Sequence, residues 1–84
     1  MTAVIYGADW CFWCKEAKKI AEKYNVTYEY KDIENPETYA ELFDKVGEIS
    51  GIPKIFMHDK LIGGYNDFLS EIENTMGNYG HGKI

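Results

Sequence analysis

The sequence predicts an α/β fold in which a four-stranded mixed sheet is flanked by three helices. The first observation is the alternation of short apolar segments with helical segments, in the order β-α-β-α-β-β-α. The second is the connection type. The first β-α-β unit implies a parallel strand pair with a right-handed crossover, whereas two strands joined by a tight turn at residues 59–60 imply an antiparallel hairpin.

The first three elements are predicted from a change of periodicity along residues 3–31. Residues 3–6 are apolar and end at Gly7, which is typical of a buried strand. A helix is expected from residue 11 to about residue 24, because charged side chains cover one side and apolar ones the other. Its predicted inward face consists of Cys14, Ala17, Ala21 and Tyr24. Residues 26–31 alternate as a second strand.

The second half of the sequence predicts one helix before the hairpin and one after it. Asn35 and Pro36 begin the second helix, because Asn caps helices and Pro suits their first position. Its predicted inward face is Tyr39, Leu42, Phe43 and Val46. Strands are expected at residues 54–58 and 61–62, and Asn66 is expected to cap the last helix. The predicted inward residues of that helix are Phe68, Leu69, Ile72 and Met76.

Length, charge and composition limit the possible functions. The chain has 84 residues, which predicts one domain over residues 1–76 and a flexible C-terminal tail over residues 77–84. The net charge is −5 and every basic residue is Lys, so nucleic-acid binding is not expected. No signal-peptide pattern and no apolar run long enough for a membrane span are present, so we expect a cytoplasmic monomer without membrane contact.

Cys11 and Cys14 form the motif with the clearest chemistry. A Cys-x-x-Cys pair that follows a strand and opens a helix is typical of redox sites. The free N–H groups and the dipole of the helix N-terminus favour negative charge on the Cys11 sulfur, and the thiolate is the nucleophile. Cys14 lies one turn later and points inward. We therefore expect the exposed Cys11 to attack a disulfide and the buried Cys14 to resolve the mixed disulfide.

Two other interpretations of the cysteine pair compete with redox chemistry. Half of a zinc site would need further ligands, but His58 and His81 have no ligand spacing. Two inert core cysteines would not require the strand–loop–helix position. The redox interpretation is favoured, and no metal is predicted.

Three segments of the sequence resemble the glutaredoxins of the thioredoxin superfamily. They are the Cys-Phe-Trp-Cys motif at 11–14, Gly-Ile-Pro at 51–53 and Gly-Gly-Tyr-Asn-Asp-Phe at 63–68. The resemblance extends from residue 2 to about residue 76 and implies a thioredoxin-like fold. It also implies that the Ile52–Pro53 peptide bond is cis and lies opposite Cys11.

The resemblance implies a glutathione-dependent thiol–disulfide oxidoreductase that reduces protein disulfides and glutathionylated thiols. Glutathione would be a co-substrate, and no tightly bound cofactor is implied. The implied glutathione-binding residues are Trp13, Ile52, Pro53, Gly64, Tyr65, Asn66 and Asp67. Disulfide-containing proteins are the implied partners, with ribonucleotide reductase as one candidate. An apolar rim around Cys11 would dock them.

The sequence also departs from the family pattern. Ala8 and Asp9 stand where many members carry Lys or Arg, and Gly51 stands where Thr is common. Trp10 and Lys15 flank the motif as in thioredoxins, so reduction by a thioredoxin reductase is one alternative. An iron–sulfur cluster-binding module is a second alternative. A non-catalytic adaptor is a third, against which the intact cysteine pair argues.

Overall fold

The computed structural model describes residues 2–79 and contains the elements in the predicted order. Their bounds are β1 (Thr2–Gly7), α1 (Phe12–Lys23), β2 (Thr27–Asp32), α2 (Pro36–Val46), β3 (Lys54–Met57), β4 (Lys60–Gly63) and α3 (Tyr65–Tyr79). The predicted α/β fold class with a mixed four-stranded sheet and three helices is confirmed.

The sheet has the strand order β2-β1-β3-β4. Strands β1 and β2 are parallel, and their register sets Ile5 opposite Tyr30. Strand β3 is antiparallel to both β1 and β4. The carboxyl ends of β1 and β2 therefore meet the amino end of β3 at one edge of the sheet. The Cys-x-x-Cys motif follows β1 at this edge.

The two faces of the sheet bury separate apolar clusters. Successive residues of β1 point to opposite faces, so Ile5 joins the larger cluster and Tyr6 the smaller one. The larger cluster packs α1 and α3 on the sheet through Ala3, Ile5, Ala17, Ile20, Ala21, Val26, Ile55, Met57, Phe68 and Ile72. The smaller cluster consists of Tyr6, Leu42 and Phe56, with Leu42 contributed by α2. This arrangement fixes α1, and with it the cysteine pair, against the sheet.

Helix α2 buries a narrower stripe than its apolar pattern predicted. Leu42 is fully buried and Val46 packs beside it, but Tyr39 and Phe43 are 46% and 49% exposed. The prediction that all four face inward was therefore wrong for Tyr39 and Phe43. The reason is that the smaller cluster has only three buried members, so one ridge of α2 is enough to cover it.

The hairpin turn lies one residue earlier than predicted. His58 and Asp59 occupy the turn with φ of 56° and 62°, and Lys60 already belongs to β4. Two consecutive residues of positive φ are characteristic of a type I′ hairpin turn. The expected Asp-Lys turn was wrong because neither His58 nor Asp59 carries the usual glycine signal.

Both ends of the last helix also differ from the prediction. Helix α3 begins at Tyr65, and Phe68 donates a backbone hydrogen bond to Gly64, so Gly64 rather than Asn66 precedes the helix as its cap. The helix continues to Tyr79, so the domain boundary predicted at residue 76 falls within it. The remainder of the predicted tail, residues 80–84, lies outside the described residues, as does the side chain of Met76.

Candidate active site

Cys11 occupies the N-cap of α1 with extended backbone angles. Its Sγ accepts a hydrogen bond from the Cys14 backbone N–H at 3.2 Å, so sulfur takes the place that a Ser or Asp oxygen holds in other caps. This confirms the predicted position at the helix N-terminus. Cys11 is 7% exposed, however, and is less accessible than predicted because it packs with Ala8, Cys14 and Ile52.

Cys14 is completely buried, as predicted for the resolving thiol. Burial, together with the neighbouring Cys11, raises the pKa of the Cys14 thiol to about 12. The thiol is close to β1 because Gly7 has no side chain; a Cβ at Gly7 would lie 2.6 Å from the Cys14 Sγ. In the reduced protein at neutral pH, Cys14 is therefore a protonated thiol.

The loop before β3 brings a backbone carbonyl group to Cys11. The carbonyl oxygen of Ile52 lies 3.8 Å from the Cys11 Sγ. The Ile52–Pro53 peptide bond is cis, as the family resemblance implied, and Pro53 is buried. Ile52 therefore lies between the cysteine pair and a groove on the protein surface.

This groove has a volume of about 320 Å³. It is lined by Trp13, Ile52, Pro53, Gly64, Tyr65, Asn66 and Asp67, which are the seven residues named for glutathione binding. The Trp13 and Tyr65 rings lie with their centroids 4.9 Å apart at one side of the groove. The structure therefore brings these residues together, and their role in binding remains a prediction.

Asp67 has a structural contact within this groove. One of its carboxylate oxygens accepts a hydrogen bond from the Gly64 backbone N–H at 3.2 Å, which caps the start of α3. Gly63, with φ of 132°, leaves room for this carboxylate because a Cβ there would collide with it. The Gly-Gly-x-x-Asp segment is therefore explained locally by the beginning of a helix.

Three large aromatic side chains that neighbour the two cysteines in the chain are exposed on the protein surface. Trp10, Phe12 and Trp13 are 68%, 60% and 51% exposed. The Trp10 indole N–H donates to a Glu34 carboxylate oxygen at 2.8 Å, and the Phe12 ring packs edge-on against Trp13 at 4.9 Å. We call Trp10, Phe12 and Trp13 the aromatic rim.

The sequence did not identify Tyr30 and Gly7 as parts of the site. Tyr30 packs beside the Cys11 and Cys14 cluster, and its buried hydroxyl has no hydrogen-bond partner. Its proximity to Cys14 depends on the parallel register that sets Tyr30 opposite Ile5. The sequence contains no spacing signal for that register.

Two general features of residues 2–79 bear on the predicted ligands. No cluster of three or more His, Cys, Asp and Glu side chains is placed to hold a metal ion in this part of the chain. None of the helices described here has the length and apolar character needed to cross a bilayer.

Comparison with known proteins gives consistent similarities. Residues 3–62 match the family model of glutaredoxin. Glutaredoxin 1 of Escherichia coli K12 is 34% identical over 83 residues, which cover 90% of this chain and 98% of that protein. Glutaredoxin of Haemophilus influenzae is 34% identical over 84 residues, covering 92% of this chain and 97% of that protein.

Solved structures show the same fold. The structure of oxidised Escherichia coli glutaredoxin superposes with a TM-score of 0.73 at 34% identity, over 90% of this chain and 98% of that one. A buckwheat glutaredoxin–glutathione complex superposes with a TM-score of 0.70, over 87% of this chain and 69% of that one. Its identity to this chain is 19%, so that likeness concerns the fold alone.

Proposed function

The chain belongs to the glutaredoxin family of thiol–disulfide oxidoreductases, and on that premise we propose that it uses glutathione to reduce protein disulfides and glutathionylated thiols. The observation that supports this most strongly is the groove that begins at Ile52, beside the Cys11 sulfur. A tripeptide thiol lying in this groove would have its sulfur next to Cys11.

The reaction proceeds by two thiol–disulfide exchanges. The Cys11 thiolate attacks one sulfur of a substrate disulfide, so that a Cys11–substrate bond forms and the other substrate thiolate leaves. Cys14, after losing its proton, then attacks the Cys11 sulfur. The Cys11–Cys14 disulfide forms, and the second substrate thiolate leaves. Two glutathione molecules reverse this change and become oxidised to glutathione disulfide.

The groove offers groups that suit glutathione. The backbone N–H and C=O of Ile52 can pair with a peptide in the manner of an added strand. The N-terminus of α3 provides N–H groups and a favourable dipole for a carboxylate, and Asp67 provides an acceptor for an ammonium group. Trp13 and Tyr65 supply apolar contact at the side of the groove.

The aromatic rim supports a role on protein substrates. Exposed large aromatic side chains around a reactive centre are typical of protein-binding surfaces. We propose that disulfide-containing proteins dock there, with ribonucleotide reductase as one candidate partner. We further propose that the protein works as a monomer in the cytoplasm.

The roles of the two cysteines are tested by replacing each with serine. Cys11→Ser should abolish glutathione-dependent reduction of every disulfide, because the attacking sulfur is lost. Cys14→Ser should retain reduction of a small glutathionylated thiol but lose most reduction of protein disulfides, because a mixed disulfide with glutathione needs no resolving cysteine. The measurement is NADPH consumption coupled to glutathione reductase.

An active Cys11→Ser protein would contradict this assignment. The same assay with thioredoxin reductase in place of glutathione and glutathione reductase tests the alternative reductant. If only that arm is active, the proposed dependence on glutathione is wrong. No specific observation in residues 2–79 favours the cluster-binding alternative.

A further inference from the structure

The hydroxyl of Tyr30 is buried, and among the side chains that the structure describes, those of residues 2–74, it is the one buried nitrogen or oxygen that has no hydrogen-bond partner. Buried hydroxyls are normally paired, because an unpaired polar group loses its bonds to water without replacement. An exception beside a reactive centre calls for a functional explanation. The attack, resolution and binding described above do not use this group.

The hydroxyl lies next to the resolving sulfur across Gly7. A Cβ at Gly7 would stand 2.6 Å from the Cys14 Sγ and 2.8 Å from the Tyr30 Oη, so both atoms border the space that the glycine leaves. The ammonium group of Lys18 lies over the Tyr30 ring, 4.1 Å from its centroid. The ring therefore has a partner of its own, whereas its hydroxyl is unpaired.

We propose that the Tyr30 hydroxyl donates a hydrogen bond to the Cys14 sulfur while that sulfur is anionic during disulfide exchange. Tyr30 would thus be a positioning residue for the resolving thiolate. This inference rests on the proposed roles of Cys11 and Cys14, but it does not depend on glutathione.

The hydrogen bond acts when the internal disulfide opens. A thiolate attacks the Cys11 sulfur, a new bond to Cys11 forms, the Cys11–Cys14 bond breaks, and its electron pair remains on Cys14. This anion forms where water has no access, since Cys14 is completely buried. A neutral donor at this point stabilises it until Cys14 takes up the proton that the attacking thiol lost on becoming a thiolate. The same bond assists the reverse step, in which the Cys14 thiolate attacks.

Tyr30 is suited to remain a neutral donor. Burial raises the pKa of its hydroxyl, and the ionisable groups around it, Cys14 first and then Asp9 and Asp32, raise it further when they carry negative charge. Tyr30 therefore keeps its own proton throughout the step. On the Cys14 side, the Ala8 backbone and the Tyr30 hydroxyl both lower the pKa of the thiol, against the larger effect of burial. In a Tyr30 variant the Ala8 backbone still stabilises the Cys14 thiolate, so only part of this stabilisation should be lost.

The test compares Tyr30→Phe with a matched control, Tyr28→Phe. Tyr28 lies two residues earlier on β2, and its exposed hydroxyl donates to Glu22 at 2.7 Å. Dithiothreitol reduces the Cys11–Cys14 disulfide in one direction, and oxidised dithiothreitol forms it in the other. Both rates at neutral pH should fall about tenfold in Tyr30→Phe, because a hydrogen bond to a charged group is lost. The Tyr28→Phe rates should equal those of the parent protein.

The equilibrium constant distinguishes this role from a merely structural one. At neutral pH, Cys14 is protonated in the reduced protein and is bonded to Cys11 in the oxidised protein. Neither of these two states contains the Cys14 thiolate, so the ratio of the two rates should stay the same. A packing defect would change the stability of one end state and shift that ratio. Unchanged rates in Tyr30→Phe, or a change in one direction only, would overturn the proposal.

A second variant covers the case in which Tyr30→Phe does not fold. 3-Fluorotyrosine at position 30 keeps the shape of the side chain and makes the hydroxyl a stronger donor. Both rates should then rise, whereas the same replacement at position 28 should leave them unchanged. Equal rates for the two replacements would contradict the inference. Because only dithiothreitol is used, a failure of glutathione dependence would not affect these measurements.

Discussion

At the residue scale, Gly7 shows how one missing side chain shapes the site. Cys14 and Tyr30 both approach β1 at this point, and any Cβ would lie within 3 Å of each. The conflict involves the fully buried Cys14 side chain and the buried hydroxyl of the half-buried Tyr30. Gly7 is therefore required by packing around the redox pair and by no unusual backbone angle.

Gly7→Ala should lower the free energy of unfolding by about 1–3 kcal/mol, because overpacking forces buried groups to shift. Urea denaturation measures the loss. Gly51→Ala is the matched control, since nothing lies within 4 Å of a Cβ at that glycine. Equal stability of the two variants would mean that the site tolerates a methyl group beside Cys14.

Asp67 combines a helix-capping hydrogen bond with a proposed charge contact to glutathione, and one substitution can separate these two roles. Asp67→Asn keeps an oxygen that can accept the Gly64 N–H but removes the negative charge proposed to meet the ammonium group of glutathione. We expect kcat/KM for glutathione to fall about fivefold, the range of an exposed ion pair, with stability little changed. Glu71→Gln, one turn further along α3, is the control. An equal fall in both variants would indicate only a general effect of charge.

At the element scale, α2 is attached to the sheet by few contacts, and two polar ones meet at Glu41. The Tyr6 hydroxyl donates to a Glu41 carboxylate oxygen, and the Lys31 ammonium lies 2.8 Å from the same oxygen. Leu42 is the only fully buried residue that α2 contributes. The Glu41 contacts therefore matter more for this helix than a half-exposed ion pair normally would.

The contribution of Glu41 should depend on pH. Lys31 first, and then Tyr6, hold the pKa of Glu41 below its ordinary value of 4.5. The stability it adds is therefore complete above pH 4.5 and is lost as the pH falls through the lowered folded-state pKa. Glu41→Gln should cost about 1 kcal/mol at pH 7, and its difference from the parent protein should vanish in acid.

The measurement is chemical denaturation of parent and variant at several pH values from 7 down through the range below 4.5, into which the pKa of Glu41 is lowered. Asp44→Asn, an exposed substitution on the same helix, is the control and should follow the parent curve. A difference between Glu41→Gln and the parent that persists unchanged in acid would contradict a charge-based role for Glu41.

How far the sequence predicted the structure also depends on the element. Helix α1 was predicted well because its periodicity and the Cys-x-x-Cys motif agree. The inward face of helix α2 was predicted only in part. Its apolar stripe shows which residues are able to pack, whereas the size of the opposing cluster decides which of them are buried. Tyr39 and Phe43 illustrate the difference.

The site was predictable to a different degree. The seven groove residues were predicted from family resemblance, and they do lie together. They come from three short segments at the starts of α1, β3 and α3. The proximity of Tyr30 to Cys14 comes from strand register and from a close approach at Gly7. These are tertiary features, and neither helix propensity nor residue spacing specifies them.

At the scale of the whole molecule, the charge distribution bears on the choice of protein substrate. The net charge is −5, and the exposed Asp9 and Glu34 stand next to the aromatic rim. A negative field around the reactive sulfur attracts cationic partners and repels anionic ones, and salt screens this effect over about 10 Å at 0.1 M.

Two peptides with the same disulfide, one flanked by lysines and one by glutamates, should therefore be reduced at different rates. At low salt the lysine peptide should have the higher kcat/KM by about tenfold, and most of the difference should disappear by about 0.5 M salt. Asp9→Asn should narrow the preference more than Glu73→Gln, because Asp9 lies two residues before Cys11 whereas Glu73 is exposed on α3. Equal effects of Asp9→Asn and Glu73→Gln would mean that the net charge of the protein, and not the charge near Cys11, determines the preference between the two peptides. A preference that survives high salt would instead locate recognition in the aromatic contacts of Trp10 and Phe12.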